Sequence, residues 1–448
     1  VDTSAIFKAY DIRGTYPDQL NEEMARAVGS AFATFVATSS IVMARDMRPS
    51  GESLCDAFAN GARAVGVNVI DLGLASTDFI YFAAGYLNSP GAMFTASHNP
   101  AGYNGIKLCL AGAKPVGAES GLVDIEAMTA KFLEAPAGEP TSELSRRDVM
   151  GEWVRHVHSF VDVGSLRPLQ VLADTANGMG GFVVPKVFAG LPFEVRIMYE
   201  ELDGTFPNHP ADPLNPANLV DLQRRILEVG ADVGLAFDGD ADRVFLIDEK
   251  GQSISGSTTT AMVAKAMLQR NPGATILYNL ICSKSVPAVI RENGGVGVRT
   301  RVGHSYIKHD MAETNAVFAG EHSGHYYFRD NYRADSGIIT ALIVLELMST
   351  SNQPLSEIAA PFHRFAASGE INTTVANPKD TVQRLTATLR EEGVDVEELD
   401  GLTADFGTWW FNLRPSNTEP LLRLNVEAPD EVQCSERVSE VLAMIKGV

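Results

Sequence analysis

Four cysteines in 448 residues are too few and too scattered to staple a fold. Cys55, Cys109, Cys282 and Cys434 show neither metal-ligand nor redox spacing. That excludes a disulfide scaffold, a thiolate zinc site and a CxxC centre, and it leaves the expectation of buried, reduced thiols in a cytoplasmic protein. No apolar run approaches a membrane span, and residues 1–4, Val-Asp-Thr-Ser, lack the basic start and apolar core of a signal peptide. Cations are scarce: 36 Lys and Arg face 56 Asp and Glu, a formal charge of -20. Such a surface repels nucleic acid and anionic lipid, so no nucleic acid and no membrane is expected as a partner. It would repel a small anion too, unless Arg and Lys are concentrated locally. No internal repeat is legible.

What is present is an ordinary core: 45% hydrophobic and 21% charged residues. The length suggests two to four domains. Early in the chain, strands and helices alternate. Residues 41–44 and 67–70 read as strands and 54–65 as a helix, which suggests a layered α/β fold. Residues 135–140, rich in Pro and Gly, read as a linker, and 146–161 as a helix with Val149, Trp153, Val157 and Phe160 on one face. A second α/β unit runs from residue 169 to 247, and a third from the turn Glu249-Lys250-Gly251 to about 365. In residues 391–400, six of ten are carboxylates, which reads as a solvated face. The expected division is 1–142, 143–249, 250–366 and 367–448.

Two stretches carry chemistry. Ala92-Met93-Phe94 reads as a buried strand, and Thr95-Ala96-Ser97-His98-Asn99-Pro100 follows it. Open α/β sheets place active sites at such strand ends. A serine there is a turn residue unless a base, a metal or phosphorylation activates it. Farther on, Asp238-Gly239-Asp240-Ala241-Asp242-Arg243 sets carboxylates at alternate positions between two apolar runs, 235–237 and 244–247. This is either a solvated acidic turn or a cage for a hard cation. The buried-looking flanks favour the cage, and three carboxylates suit Mg2+. The EF-hand pattern is absent. A serine beside such a cage suggests phosphoryl transfer.

Three further stretches complete a set: residues 7–14 (Phe-Lys-Ala-Tyr-Asp-Ile-Arg-Gly), 320–325 (Gly-Glu-His-Ser-Gly-His) and 414–420 (Arg-Pro-Ser-Asn-Thr-Glu-Pro). In this order the five resemble the signatures of the α-D-phosphohexomutase family, in its phosphomannomutase/phosphoglucomutase branch. The resemblance covers essentially the whole chain. It implies an α/β protein of four domains around a central cleft, the first three of similar layered topology and the fourth a smaller α+β domain. It also implies a cytoplasmic, monomeric, Mg2+-dependent isomerase that moves phosphate between the 1- and 6-positions of glucose and mannose. The cycle would run through a phosphoserine and a hexose 1,6-bisphosphate, which also serves as activator.

The same resemblance implies the roles. Ser97 would carry the phosphoryl group and, with Asp238, Asp240 and Asp242, hold the metal. Arg13 and Lys107 would surround the group in transfer; an arginine titrates too high to be a good base, so an electrostatic role suits Arg13. Tyr10 to Gly14 is expected in a polar turn, and residues 103–106 in a hairpin turn that returns Lys107 beside Ser97. His98 would position the serine loop, Arg243 would reach the same phosphate, and Arg45, Asp46 and Arg48 would support the site. Glu321 and Ser323 would bind the 3- and 4-hydroxyls that glucose and mannose share. His325 suits general acid–base work. Tyr10, Lys284 and His304 would contact substrate. Arg414, Ser416, Asn417 and Thr418 would cradle the phosphate that is not reacting, and so supply the local positive charge. The alternatives are phosphoglucosamine mutase, against which His322 (Gln there) and Ala241 (Gly there) count, a non-catalytic phosphosugar-binding relative, and a metal-dependent phosphatase.

Overall fold

A computed structural model describes residues 3–415 and 421–447. Its first three units repeat one strand order. In the first, Ser40–Arg45 is flanked by two parallel strands, Asn68–Leu74 and Gly91–Phe94, and Tyr103–Leu110 then runs antiparallel to Gly91–Phe94. In the second, Gln170–Asp174 lies between parallel Glu194–Met198 and Val233–Phe237, and Val244–Asp248 returns antiparallel. In the third, Thr275–Asn279 lies between Val296–Thr300 and Phe318–Gly320, and Tyr326–Phe328 returns antiparallel. Parallel pairs need helical crossovers, and helices cover these sheets accordingly. The fourth unit differs: five antiparallel strands with two helices, Pro378–Glu391 and Glu431–Lys446.

This order positions the chemistry. The return from the third strand to the reversed fourth is a tight turn in each unit. Those turns are residues 95–102, 238–243 and 321–325, the three central motifs. In the fourth unit, Trp410–Pro415 and Leu421–Ala428 pair antiparallel, and between them lie 416–420, outside the described residues. Side chains of the first three turns meet, Ser97 on Asp238 and His325 beside Asp242.

Three local expectations are corrected. Arg13 is not in a turn: Ile12–Thr15 is a strand against Tyr103–Leu110, with Arg13 opposite Gly105. Residues 103–106 are strand as well, because the turn is made earlier by Asn99, Pro100 and Gly102; Lys107 lies opposite Met93. The helix expected over 146–161 spans Met150–His158, while Leu144–Arg146 joins the first sheet beside Asn68–Leu74. The free cysteines are all buried, and Glu391, Glu392, Glu397 and Glu398 are exposed. Among the described residues no helix is long and apolar enough to cross a membrane.

One continuous core runs through the first three units, from Val42 to Phe362, whereas the fourth has its own, around Leu402, Phe411 and Leu424. Polar contacts cross from the third unit to the fourth, among them Lys284 Nζ to Asp405 Oδ1 at 2.6 Å and Arg299 to Glu397.

In the first unit, Glu22–Val36 starts on Asn21, whose side chain accepts from the Met24 amide, and crosses Gly51–Ala64 at two glycines. A Cβ on Gly61 would lie 1.9 Å from the Arg26 carbonyl oxygen, and one on Gly29 2.1 Å from that of Phe58. Ser30 Oγ donates to the Gly61 carbonyl at 3.0 Å. Gly61→Ala should therefore destabilise this unit by about 1–3 kcal/mol despite the better helix propensity of alanine. The check is the urea midpoint followed by circular dichroism; an unchanged midpoint would refute the close helix contact.

Candidate active site

Ser97 sits at the start of the first turn with φ 49°, a left-handed backbone unusual for serine. Its amide donates to Thr95 Oγ1 at 2.9 Å. Arg48, 1% exposed, holds the turn from behind. Its guanidinium donates to the carbonyls of Ser97, Asn99, Pro100 and Tyr103 at 2.6–2.9 Å and pairs with buried Asp46. Arg45 takes no part; it faces Glu52 in a groove between the first two units. The second turn packs directly on the first, where Gly239 is needed: a Cβ there would lie 2.4 Å from the Ser97 carbonyl oxygen.

The packing brings Ser97 Oγ to 2.8 Å from Asp238 Oδ2, to which it donates. Oxygens of Asp238, Asp240 and Asp242 lie within 4.8 Å of one another, and all three residues are buried. Such a cluster is tenable only with cations beside it. Arg243 Nε donates to Asp238 Oδ2 at 2.9 Å, and Lys107 Nζ bridges Asp240 Oδ2 and Asp242 Oδ2 at 2.8 Å each. Burial and the neighbouring carboxylates push Asp238 up to about 7 despite Arg243. Burial works against charge on Asp240 too, but Lys107 and a 2.5 Å hydrogen bond from Thr77 hold it below the carboxylate range. Asp240 Oδ1 and Asp242 Oδ1 are buried without a hydrogen-bond partner among the described residues. Orphaned carboxylate oxygens in an all-oxygen donor set fit a hard divalent cation.

His98 keeps an exposed edge, but the packing around its ring, with Arg243 and Arg13 beside it, brings its imidazole down to about 2. It stays neutral, and its Nδ1 accepts from Arg243 Nη2 at 2.6 Å. That makes it a strut for the serine turn rather than a proton carrier. Arg13, half-buried, reaches the same turn through Asn99 Oδ1 at 2.6 Å and pairs with Asp11.

The third turn is held by its own sheet. Glu321 is buried, accepting from Asn279 Nδ2 at 3.0 Å and from the Tyr327 hydroxyl at 2.7 Å. Asn279 also reaches His322 Nδ1 at 3.1 Å, and burial with Arg414 nearby drops that imidazole to about 3. Ser323 is half-buried beside them. His325 joins the third turn to the second: its Nδ1 is 2.8 Å from Asp335 Oδ2 and 3.9 Å from Asp242 Oδ1. Burial disfavours its charge, yet Asp242 and Asp335 outweigh that and hold it above its ordinary value.

Tyr10 leans on this group from the first unit. Its ring packs on His304 at 5.4 Å, and burial, with Tyr306, Asp400 and Glu321 nearby, raises its hydroxyl to about 12. Arg414 is near enough to both Tyr10 and His322 to act on their charge. Its guanidinium pairs with Glu370 at 3.0 Å, and its Nε is buried without a partner among the described residues. Ser416, Asn417 and Thr418 lie outside the described residues. Among the described residues Lys284 shares no hydrogen bond or ion pair with the cluster. Its ammonium is bound to Asp405 and the Gly407 carbonyl of the fourth unit.

Several residues here escaped the sequence reading: Thr77, Asn279, Asp335, Lys308 and Asp78. Asp78 is buried, accepts from Ser76 and Ser336, and is pushed up to about 7 by that burial. One signal was present: Asp335-Ser336-Gly337 directly precedes the apolar run 338–348, but such a pattern reads first as a helix cap, which Ser336 indeed is.

Known proteins share this architecture. The chain matches, in order, the family models described as phosphoglucomutase/phosphomannomutase alpha/beta/alpha domain I (residues 4–133), domain II (151–251), domain III (255–365) and C-terminal domain (370–444). It is 40% identical over 448 residues to a protein named "Phosphohexose mutases" from Xanthomonas campestris pv. campestris, covering 99% of this chain and 100% of that one. It is 38% identical to a phosphomannomutase of Escherichia coli, covering 97% of each. A crystal structure of a phosphoglucomutase/phosphomannomutase family protein from Burkholderia thailandensis superposes with a TM-score of 0.90 at 30% identity, covering 100% of this chain and 98% of that one. With full-length identity and four domains in the same order, the chain belongs to the phosphoglucomutase/phosphomannomutase family, enzymes of phosphoryl transfer within hexose phosphates.

Proposed function

We propose that this enzyme interconverts the 1- and 6-phosphates of glucose and mannose through a phosphoserine at Ser97 and a 1,6-bisphosphate. The observation that carries this reading is the meeting of the first two turns. A serine in a strained backbone donates to one of three buried carboxylates, two of which keep an oxygen unpaired. In the forward half, the free sugar hydroxyl attacks the phosphorus on Ser97. The new O–P bond forms, the P–Oγ bond breaks with its electron pair going to Oγ, and the hydroxyl proton passes to His325. In the second half the other end of the bisphosphate returns a phosphoryl group to Oγ, and His325 protonates the departing sugar oxygen. Asp238, Asp240, Asp242 and the serine phosphate would hold Mg2+, which would supply positive charge to neutralise the phosphoryl group. Arg243, Lys107 and Arg13 supply fixed positive charge around that group, and His98 steadies Arg243.

Glu321 and Ser323 would read the 3- and 4-hydroxyls, which is why C2, where glucose and mannose differ, goes unread. The phosphoglucosamine reading gains nothing: His322 and Ala241 stand where that branch carries Gln and Gly. Arg414 with Ser416, Asn417 and Thr418 would grip the phosphate that is not reacting, and added bisphosphate would restore enzyme that has lost its phosphate. Four buried free thiols suit a cytoplasmic enzyme, and one chain supplies every group named, so a monomer suffices.

Intact-mass analysis of active enzyme should find one phosphate, on Ser97, and Ser97→Ala should lose nearly all turnover while keeping its melting temperature. Wild-type rates in that variant would end the phosphoserine mechanism. Asp240→Asn should weaken Mg2+ binding, read by calorimetry, by about tenfold or more; unchanged affinity, or activity that survives exhaustive chelation, would move the metal elsewhere. Arg414→Ala removes a charge-assisted contact of roughly 1.5–3 kcal/mol, so kcat/KM should fall about one to two powers of ten. It should also release more bisphosphate per product. Unchanged KM without extra release would revive the phosphatase reading, since hydrolysis needs no second phosphate site.

A further inference from the structure

Asp335 has no part in any motif, yet it lies at the middle of a buried chain of contacts that ends on His325. Its Oδ2 is 2.8 Å from His325 Nδ1 and its Oδ1 3.3 Å from Lys308 Nζ; Asp335 is 3% exposed and Lys308 2%. The carboxylate is held by a close contact to His325 on one side and by an ion pair, without a hydrogen bond, to Lys308 on the other. Its backbone bridges to Tyr327, and the next residue, Ser336, caps the helix Gly337–Ser351 and donates to Asp78 Oδ2 of the first unit at 2.6 Å. Lys308 is held as well, its ammonium 3.6 Å from the centre of the Tyr81 ring. The far side of the imidazole is different. Nε2 has no hydrogen-bond partner among the described residues, and the ring is 22% exposed, lying against Tyr327.

We propose that Asp335 is a positioning residue for the reaction: it holds the proton of neutral His325 on Nδ1 and so turns the Nε2 lone pair to the cleft. The inference rests on the reading of His325 as the group that moves the sugar hydroxyl proton. A carboxylate accepts only, so the nitrogen facing it must be the N–H. Lys308 makes the arrangement one-directional. An ammonium donates only, so it claims an acceptor atom from whatever stands at position 335. With Asp, Nδ1–H faces an acceptor and the ammonium has a counter-charge 3.3 Å away. With Asn, Lys308 takes the amide oxygen and the NH2 group faces His325, so Nδ1 accepts from it; Asp242 Oδ1, 3.9 Å from Nδ1, lies beyond hydrogen-bond reach. The proton then moves to Nε2, and the atom that should receive the sugar's proton already carries one.

The test is a pair of variants and a spectrum. In 15N-histidine-labelled wild-type enzyme at a pH where His325 is neutral, long-range 1H–15N correlation should show Nδ1–H with Nε2 unprotonated. In Asp335→Asn the tautomer should invert, and kcat should fall about 10²- to 10⁴-fold, the range general acid–base catalysis supplies, with KM within about threefold because no substrate contact is lost. Adding Lys308→Met frees the amide to flip. The double variant Lys308→Met/Asp335→Asn, which also leaves no buried charge unpaired, should recover at least about tenfold in kcat over Asp335→Asn and show Nδ1–H again. A purely structural role would make the double variant worse. If Asp335→Asn does not fold, the wild-type spectrum and the double variant still decide. Nε2–H in wild type, or a double variant with Nε2–H and no activity, overturns the proposal, as does a folded Asp335→Asn with near-wild-type kcat. His325→Ala separates this from the underlying reading. Full activity there removes His325 from the chemistry, whereas its loss beside an active Asp335→Asn leaves His325 in place and removes only Asp335.

Discussion

Three carboxylates forced together away from water repel one another, and much of the molecule is arranged to make that tolerable. Lys107, Arg243 and the Thr77 hydroxyl reach the cage from two units, and Ser97 donates into it. The Ser97 contact depends on the first two turns lying backbone to backbone, which Gly239 permits, with Arg48 holding the first turn from behind. The electrostatic demand of the second turn thus fixes the position of the first. In a protein of charge -20 the cage too stays net negative, three carboxylates against Lys107 and Arg243, which suits a divalent cation.

The sequence carried the chemistry better than it carried the frame. The turns could be read because their residue types are improbable together: alternating aspartates between apolar strands, and a serine after a buried run. The repeat could not be read, because what recurs is strand order and the reversal of the fourth strand, with no side chain repeated among Ser97, Asp238 and Glu321. The Arg13 segment was misread because pairing with Tyr103–Leu110 overrides its polar composition. Such tertiary override is the usual limit of local propensity. Asp335 and Lys308 escaped for another reason. A buried charge announces itself only through its partner, and their partners are 10 and 27 residues away in the chain.

Lys284 illustrates how a resemblance and a structure answer different questions. The motif assigns it to substrate; here its ammonium is bound to the fourth unit, and its amide donates to Glu427. Both follow from one property, a long flexible cation at the boundary between two units, able to serve whichever acceptor is nearer.

The fourth unit has its own core and meets the third through polar links such as Lys284–Asp405 and Arg299–Glu397, partly exposed to water. Ion pairs of this kind are worth little and are screened by salt. The seam between the third and fourth units is therefore softer than the cores on either side of it. In the proposed cycle an intermediate must be let go at one phosphate and regripped at the other, and the commitment of each bisphosphate to finish its turn is a contest between tumbling and escape. A seam held by surface charge makes that processivity a property of the medium: ionic strength can change how many intermediates are lost while leaving the buried groups around Ser97 untouched.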